Sequence, residues 1–157
     1  RCRHGSVHRQ RGHCAPSFPP PVHPAAVNPH SPDTLVSHLG IVITGAGEDW
    51  LRGTMPVDAR TVQPYGILHG GASVALAETL GSVAGNLCVD ITKEMVVGLE
   101  INANHVRAMR GGVVTGTARA LHVGRSTQLW EIRIENDEGK LVCVSRLTLA
   151  VVPLPKA

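Results

Sequence analysis

Segments of strand length, separated by turn residues, occupy most of the chain after residue 39, apart from one longer helical segment. They predict six strands, at residues 40–44, 50–57, 95–106, 113–122, 126–135 and 141–152. In residues 95–106, hydrophobic and polar residues alternate with the period of two that is typical of a half-buried strand. Short loops rich in Gly, Asn and Asp separate the later strands, so we expect an antiparallel meander. In the third strand, one half-buried face should carry Met95, Val97, Leu99, Ile101 and Ala103.

Residues 69–87 form the one long segment with helical periodicity. The apolar side of this predicted helix consists of Leu76, Leu80, Val83 and Leu87. Glu78, the only carboxylate of the segment, lies on the other side, among Gly71, Val74, Ala75, Gly81, Ser82 and Gly85. Glycines inside a helix cost about 1 kcal/mol each relative to Ala, so we expect another chain or a ligand to approach this small-residue face. The alternative is a solvated Glu78 beside a tight packing contact.

The order of the elements predicts an α+β fold. A short helix or lead-in at 34–39 and two strands precede the long helix, and four strands follow it, without the βαβ alternation of a doubly wound sheet. One helix with an apolar side must cover one face of the sheet. The fold expected is therefore a hot-dog arrangement, an antiparallel sheet wrapped round one long central helix.

Composition divides the 157 residues into two parts. Residues 1–32 contain seven of eleven prolines and few aliphatic residues, which predicts a disordered or non-native segment without a core. Residues 33–157 form a single domain. The formal charge is +3, but four arginines and no acid lie in residues 1–32, so the other 125 residues sum to −1. A nearly neutral body with few aromatic residues argues against nucleic-acid binding.

The cysteines and apolar runs indicate the compartment. Cys88 and Cys143 lie in apolar contexts and are interpreted as buried free thiols of a reducing compartment, which predicts a cytoplasmic protein. The sequence contains no run of 18 apolar residues, so it predicts no membrane-spanning helix. No spacing of His, Cys, Asp or Glu predicts a metal site, and the Gly-rich runs lack the context of dinucleotide binding, so we expect no cofactor.

Several segments carry a family likeness over about residues 35–152. They are Met55–Arg60, Gln63–Ser73, Leu76–Gly85, Val97–Arg107, Leu121–Gly124 and Ser145–Thr148. Together they resemble the hot-dog acyl-CoA thioesterases of the PaaI-like group. Within it, they are most similar to the hydrolases of hydroxynaphthoyl-CoA in menaquinone biosynthesis, and next to the proofreading thioesterases of the enterobactin pathway. Residues 1–32 match nothing in the group.

The resemblance implies a role for four residues, and the helical spacing from Glu78 adds a fifth. Glu78 would be the catalytic carboxylate, either as general base on water or as nucleophile. Gln63 would orient the thioester or the water, whereas the residues alone favour a side chain that only stabilises its turn. The Gly70 amide would hold the developing oxyanion, which agrees with the unpaired amides at a helix N-terminus. His69 could act as an acid or base, but the resemblance implies that it positions the loop. Ser82, one turn beyond Glu78, is expected to hydrogen-bond the carboxylate, its water or the acyl group, or else its own helix.

The resemblance also implies the partners. His105 and Arg107 would bind the CoA arm, and Arg125, in a backbone-rich turn, is a further candidate, although each is more often a solvated charge. Family sites are built across a dimer, and two dimers form a tetramer. The long strand 95–106 is a plausible interface edge, so Glu78 of one chain would act with Gly70 and Gln63 of the other.

Three functions follow as alternatives. The first is hydrolysis of an aromatic acyl-CoA, of hydroxynaphthoyl or hydroxybenzoyl type, to the acid and free CoA. The second is proofreading hydrolysis of misloaded acyl carrier protein. The third is a non-catalytic hot-dog protein that binds acyl-CoA, which the joint presence of Gln63, Gly70 and Glu78 disfavours.

Overall fold

A computed structural model describes residues 33–155 of the chain. Residues 1–32, for which a disordered or non-native segment is predicted and which include Cys2 and Cys14, lie outside the described residues. The elements in chain order are helix α1 (Leu35–His38), strands β1 (Val42–Ala46) and β2 (Trp50–Pro56), helix α2 (Gly70–Asn86), and strands β3 (Glu94–His105), β4 (Val113–Val123), β5 (Thr127–Glu135) and β6 (Leu141–Pro153). The expected α+β order is confirmed, with strand limits within two residues of the prediction.

The six strands form one antiparallel sheet in the order β1-β2-β4-β5-β6-β3. The sheet packs round α2, which contacts strands β2 to β6, as the hot-dog arrangement predicts. The expected meander is correct for β4, β5 and β6 but wrong for β3. This strand pairs with β6 instead of β4, and it leaves its other side as an edge of the sheet.

Strand β3 also departs from strict alternation. Its register with β6 shifts between Gly98 and Glu100, which marks a β-bulge at Leu99. The extra residue exchanges the faces, so Val96 is buried before the bulge and Ile101 is half-buried after it, while Leu99 is 61% exposed. The predicted single apolar face of residues 95–103 is therefore wrong, because a period-two pattern does not reveal an inserted residue.

Helix α2 packs on the sheet through a side that is only partly the predicted one. Leu76 and Leu80 are completely buried, but Val83 and Leu87 are only half-buried. Gly81 and Gly85 face the sheet instead of the Glu78 side, since a Cβ on Gly81 would lie 2.5 Å from Leu147 Cδ2 and one on Gly85 would lie 2.5 Å from Leu149 Cδ1. These two glycines bring the helix close to its own sheet, which corrects the expectation of a second chain or ligand at their positions.

Leu80 occupies a socket made by two glycines of the sheet. Gly53 of β2 and Gly116 of β4 lie directly opposite each other in the ladder. A Cβ on Gly53 would lie 2.8 Å from Leu80 Cδ2, and one on Gly116 would lie 2.5 Å from Leu80 Cδ1. The missing side chains leave the space that the leucine fills, so this contact fixes the depth and position of α2 on the sheet.

The C-terminal half of α2 is held by a buried polar contact. Gln128 of β5 is completely buried, its amide donates to the Gly85 carbonyl at 3.3 Å, and its carbonyl oxygen accepts from Trp130 Nε1 at 2.9 Å. A buried amide with both ends hydrogen-bonded specifies one position for the helix. Among residues 33–155, no helix is long and apolar enough to cross a membrane.

Candidate active site

A cleft of about 380 Å³ opens at the N-terminus of α2. It is lined by Gln63, Ile67, Leu68, Gly70, Ser73, His105, Val106, Arg107, Ala108 and Val142. Four residues predicted for the site, Gln63, Gly70, His105 and Arg107, therefore lie together. The lining includes no acidic side chain, so an anionic ligand meets no like charge at the walls.

The start of α2 leaves one backbone donor open to this cleft. His69 is the N-cap, and its Nδ1 accepts from the Gly71 N–H at 2.8 Å. The next two amides, Ala72 and Ser73, donate to the His69 carbonyl at 3.0 and 3.2 Å. Within the described residues, the Gly70 N–H has no acceptor. It is a helix N-terminal amide at the positive end of the dipole, which suits it to hold a negative oxygen.

The capping contact also defines the chemistry of His69. Because Nδ1 accepts a hydrogen bond, the proton of the neutral ring is on Nε2. The His69 N–H donates to the Thr61 carbonyl at 2.8 Å, and Thr61 is buried with its hydroxyl bound to the Pro56 carbonyl at 2.8 Å. His69 is therefore fixed at both backbone and ring, which agrees with a positioning role.

Gly70 is also the point where β3 approaches the helix. A Cβ on Gly70 would lie 2.8 Å from His105 Nε2. The imidazole at the end of β3 therefore packs directly on the glycine backbone, beside the open amide. A larger residue at this position would displace the ring, so the small size of Gly70 keeps the amide and the imidazole on one wall of the cleft.

Gln63 lies in an ordered turn above the cleft. Its Oε1 accepts from the Tyr65 N–H, and its backbone N–H donates to the Ile67 carbonyl at 2.9 Å. The turn-stabilising function considered for this residue is therefore present. The side-chain NH₂ has no acceptor among the described residues, so it is free to donate to a ligand in the cleft.

The expected CoA-binding residues do not all meet. Arg107 is exposed on the cleft wall, and its Nε donates to the Leu141 carbonyl at 3.3 Å. Arg125 lies in the turn between β4 and β5, beyond the far end of β4 from the cleft. Within one chain, the structure does not bring Arg125 together with His105 and Arg107.

Glu78 lies away from the cleft, beside the edge strand. Ser82 Oγ donates to Glu78 Oε1 at 3.2 Å, which is the predicted contact one helical turn away. On the other side, a Cβ on Gly98 would lie 2.6 Å from Glu78 Oε1. The half-buried carboxylate thus rests against the strand just before the bulge, and only a glycine leaves room for it.

The two groups of candidate residues are separated along the helix. Eight residues at 1.5 Å each place Glu78 about 12 Å from Gly70 along the axis. This is too far for one carboxylate to reach an atom held at the Gly70 amide of the same chain. The structure therefore separates two groups of candidate residues, the cleft with the open Gly70 amide at the start of the helix and Glu78 at the edge of the sheet.

Among residues 33–155, neither the cysteine thiols nor the residue types that can bind metals form a second catalytic centre. Burial raises the pKa of the half-buried Cys88 to about 11, and it also raises the pKa of Cys143, so both are protonated at neutral pH. Both thiols are free, as expected, although Cys88 is less buried than predicted. No group of three or more His, Cys, Asp or Glu residues in this part of the chain is placed to bind a metal.

The sequence pattern did not identify two residues beside these groups, one next to Glu78 and one in the cleft. Gly98 was assigned only to a strand face, and Ser73 is buried yet lines the cleft. A glycine inside a strand is a signal for the close approach of another group, and it could have identified Gly98. Ser73 carried no such signal, because a small polar residue in the first turn of a helix is common.

Comparisons with known proteins point to one family. The family model described as "Thioesterase superfamily" matches residues 65–143. The 1,4-dihydroxy-2-naphthoyl-CoA hydrolase of Escherichia coli is 52% identical over 127 residues, which are 81% of this chain and 93% of that protein. The proofreading thioesterase EntH of Cronobacter sakazakii is 54% identical over 127 residues, 81% of this chain and 92% of that protein.

Solved structures agree with these sequence matches. A thioesterase from Haemophilus influenzae has a TM-score of 0.76 at 57% identity, covering 79% of this chain and 86% of that one. A mutant thioesterase from Pseudomonas aeruginosa has a TM-score of 0.83 at 50% identity, covering 85% of this chain and 96% of that one. The sequence relatives and the structural neighbours are thus both thioesterases or named thioester hydrolases.

Proposed function

Because the chain belongs to the thioesterase superfamily and is a thioester hydrolase, we propose that it cleaves an aromatic acyl-CoA of hydroxynaphthoyl or hydroxybenzoyl type. The products are the aromatic acid and free CoA. The observation that carries the proposal is the open Gly70 amide in a cleft that also holds Gln63 and an exposed arginine, Arg107. The 52% identity to a hydrolase named for a naphthoyl-CoA supports the acyl group and a place in menaquinone biosynthesis.

In the proposed reaction, the thioester carbonyl oxygen accepts a hydrogen bond from the Gly70 N–H, and the Gln63 NH₂ orients the thioester or the water. Glu78 then either takes a proton from a water that adds to the carbonyl carbon, or adds to that carbon itself. In the first case the C–S bond breaks and the sulfur leaves as the CoA thiol with the proton that Glu78 received. In the second case the CoA thiolate leaves a mixed anhydride of Glu78 and the acyl group, and hydrolysis of this anhydride by water releases the acid and the proton that the thiolate takes up. Hydrogen bonds from preorganised amides stabilise the negative oxygen of this step.

The acid and the oxyanion donor must come from different chains in this scheme. Glu78 rests against β3 at Gly98, and β3 is an unpaired edge of twelve residues within the described sheet. Antiparallel pairing of two copies through β3 reverses the strand, so the cleft end of one copy comes beside Gly98 of the other. We therefore propose a homodimer, or a dimer of dimers, with shared sites. The free thiols Cys88 and Cys143 support a cytoplasmic location.

Thiol release from a panel of thioesters tests the proposed substrate. The panel contains benzoyl-CoA, a hydroxynaphthoyl-CoA and octanoyl-CoA, followed with a chromogenic thiol reagent. We expect kcat/KM for the two aromatic thioesters to exceed that for octanoyl-CoA by about tenfold or more, the difference that a shaped apolar pocket makes. Binding of these compounds without release of thiol would contradict the proposal and support the non-catalytic alternative.

Proofreading of misloaded acyl carrier protein is the second candidate, and the 54% identity to a relative named as a proofreading thioesterase supports it. A carrier protein loaded with a benzoyl group distinguishes the two functions in the same assay. If kcat/KM for the loaded carrier exceeds that for benzoyl-CoA, proofreading is the function of the site. The opposite order supports the CoA thioesterase.

A further inference from the structure

An exposed aromatic ring lies at the rim of the cleft and has no function in the reaction described above. Tyr65 is the only tyrosine of the sequence, and it is 85% exposed. Its backbone is nevertheless fixed, because the Tyr65 N–H donates to Gln63 Oε1 and the Gly66 N–H donates to the Gln63 carbonyl at 2.8 Å. Gly66 has a φ of +72°, which a glycine adopts without strain. The ring is thus held outward on an ordered turn.

Positive charge lies on the segment that runs beside this turn. Arg110 Nη1 donates to the Tyr65 carbonyl at 3.4 Å, and the Leu68 N–H donates to the Met109 carbonyl at 2.7 Å. Arg107, three residues before Arg110, lines the cleft itself. The backbone contacts therefore hold the aromatic ring and two arginines at one rim.

Neither of these arginines is neutralised within the described residues. Arg60, Arg119 and Arg133 each lie within 4 Å of a carboxylate. Arg107 and Arg110 are exposed, and no ion pair involves them in residues 33–155. Arginine matches phosphate geometry through several N–H donors, whereas an aromatic face stacks on a nucleobase. Side by side, they form a surface suited to a nucleotide that carries several phosphates.

We propose that Tyr65 and Arg110, together with Arg107, bind the adenosine phosphate end of CoA, and that this contact makes the chain select CoA over carrier-protein thioesters. The assignment rests on the proposed function, because it requires the thioester to be at Gly70. Tyr65 and Gly70 are five residues apart, which limits their separation to about 18 Å. A pantetheine arm spans a distance of this kind between thioester and nucleotide. A carrier-bound thioester has the same arm but no base to stack on Tyr65.

Kinetics with and without the nucleotide test this assignment. Benzoyl-CoA and benzoyl-pantetheine share the thioester and the arm, and only the first has the adenosine phosphates. We expect Tyr65→Ala to lower kcat/KM for benzoyl-CoA about tenfold, mainly through KM, and to leave benzoyl-pantetheine unchanged. Tyr65→Phe should retain wild-type values, since it keeps the ring. Arg110→Gln should act like Tyr65→Ala, whereas Arg52→Gln, an exposed arginine on β2, should have no effect.

Two outcomes overturn the assignment. Equal losses on both substrates would mean that Tyr65 only supports the Gln63 turn, and no loss on either would mean that the ring contacts no substrate. Calorimetry with adenosine 3′,5′-bisphosphate measures nucleotide binding at this surface without any catalysis. It therefore tests the assignment even if no thioester is cleaved. We expect wild type to bind this nucleotide and Tyr65→Ala to bind it about tenfold more weakly; absence of binding to wild type overturns the proposal.

Discussion

Glu78→Gln is expected to lower kcat for benzoyl-CoA at least about 100-fold, because an amide can neither take a proton from water nor attack the thioester. The substitution keeps the size of the side chain and an oxygen that can accept from Ser82 Oγ, which lies 3.2 Å from the carboxylate. It also fits the space that Gly98 leaves. The loss should therefore arise in the chemical step, with little change in KM or in the melting temperature.

Steady-state thiol release with wild type and Glu78→Gln measures this effect, and circular dichroism checks the fold. Glu48→Gln is the matched control, since Glu48 is exposed in the β1–β2 loop and should keep wild-type kcat. A folded Glu78→Gln variant with the activity of wild type would remove Glu78 from the mechanism. The Gly70 amide and the Gln63 side chain would then be the remaining elements of the proposed catalysis.

Leu80→Ala is expected to reduce the free energy of unfolding by about 4 kcal/mol, near the upper part of the range for buried leucines. The side chain is completely buried in the socket of Gly53 and Gly116. Since these glycines have no side chains that could move into the gap, the cavity cannot collapse easily. Leu121→Ala, at a side chain that is 52% exposed, should change stability by less than about 0.5 kcal/mol.

A double-mutant cycle tests whether the fit of Leu80 between the two glycines is the reason for this large loss of stability. In wild type, Gly116→Ala should cost about 1–3 kcal/mol, because its Cβ would lie 2.5 Å from Leu80 Cδ1. In the Leu80→Ala background, the same methyl group fills part of the cavity, so the cost should disappear. Urea unfolding of the four proteins gives the coupling energy; additive effects would show that Leu80 and Gly116 are energetically independent.

The sequence predicted the elements of this fold more accurately than their arrangement. Strand limits followed from local patterns, such as alternation in β3 and the Asn136–Lys140 hairpin before β6. The pairing of β3 with β6 joins residues that are between 38 positions (His105 and Cys143) and 59 positions (Glu94 and Pro153) apart, and nothing in the local pattern specifies it. The bulge at Leu99 was equally hidden, because it depends on the register with β6.

The candidate site shows the same limit. Gln63, Gly70, His105 and Arg107 were predicted by family resemblance, and the fold brings them to one cleft. The helical periodicity places the small residues round Glu78 on one face, but in the packed structure they point in two directions. Ser82 stays beside the acid, while Gly81 and Gly85 turn to the sheet. A helical wheel gives relative angles, and only the packed sheet defines which angle faces inward.

The central claim is that each active site combines Glu78 of one chain with the Gly70 cleft of another, and mixed dimers test it most directly. Glu78→Gln and Gln63→Ala chains, each with a different affinity tag, are co-expressed, and dimers that carry both tags are isolated. One site of such a dimer has both substitutions and the other has neither, whereas each parent carries one substitution in both of its sites. We therefore expect the mixed dimer to have about half of the wild-type rate of benzoyl-CoA hydrolysis and to exceed both parents. A mixed dimer no more active than its parents would contradict the shared site.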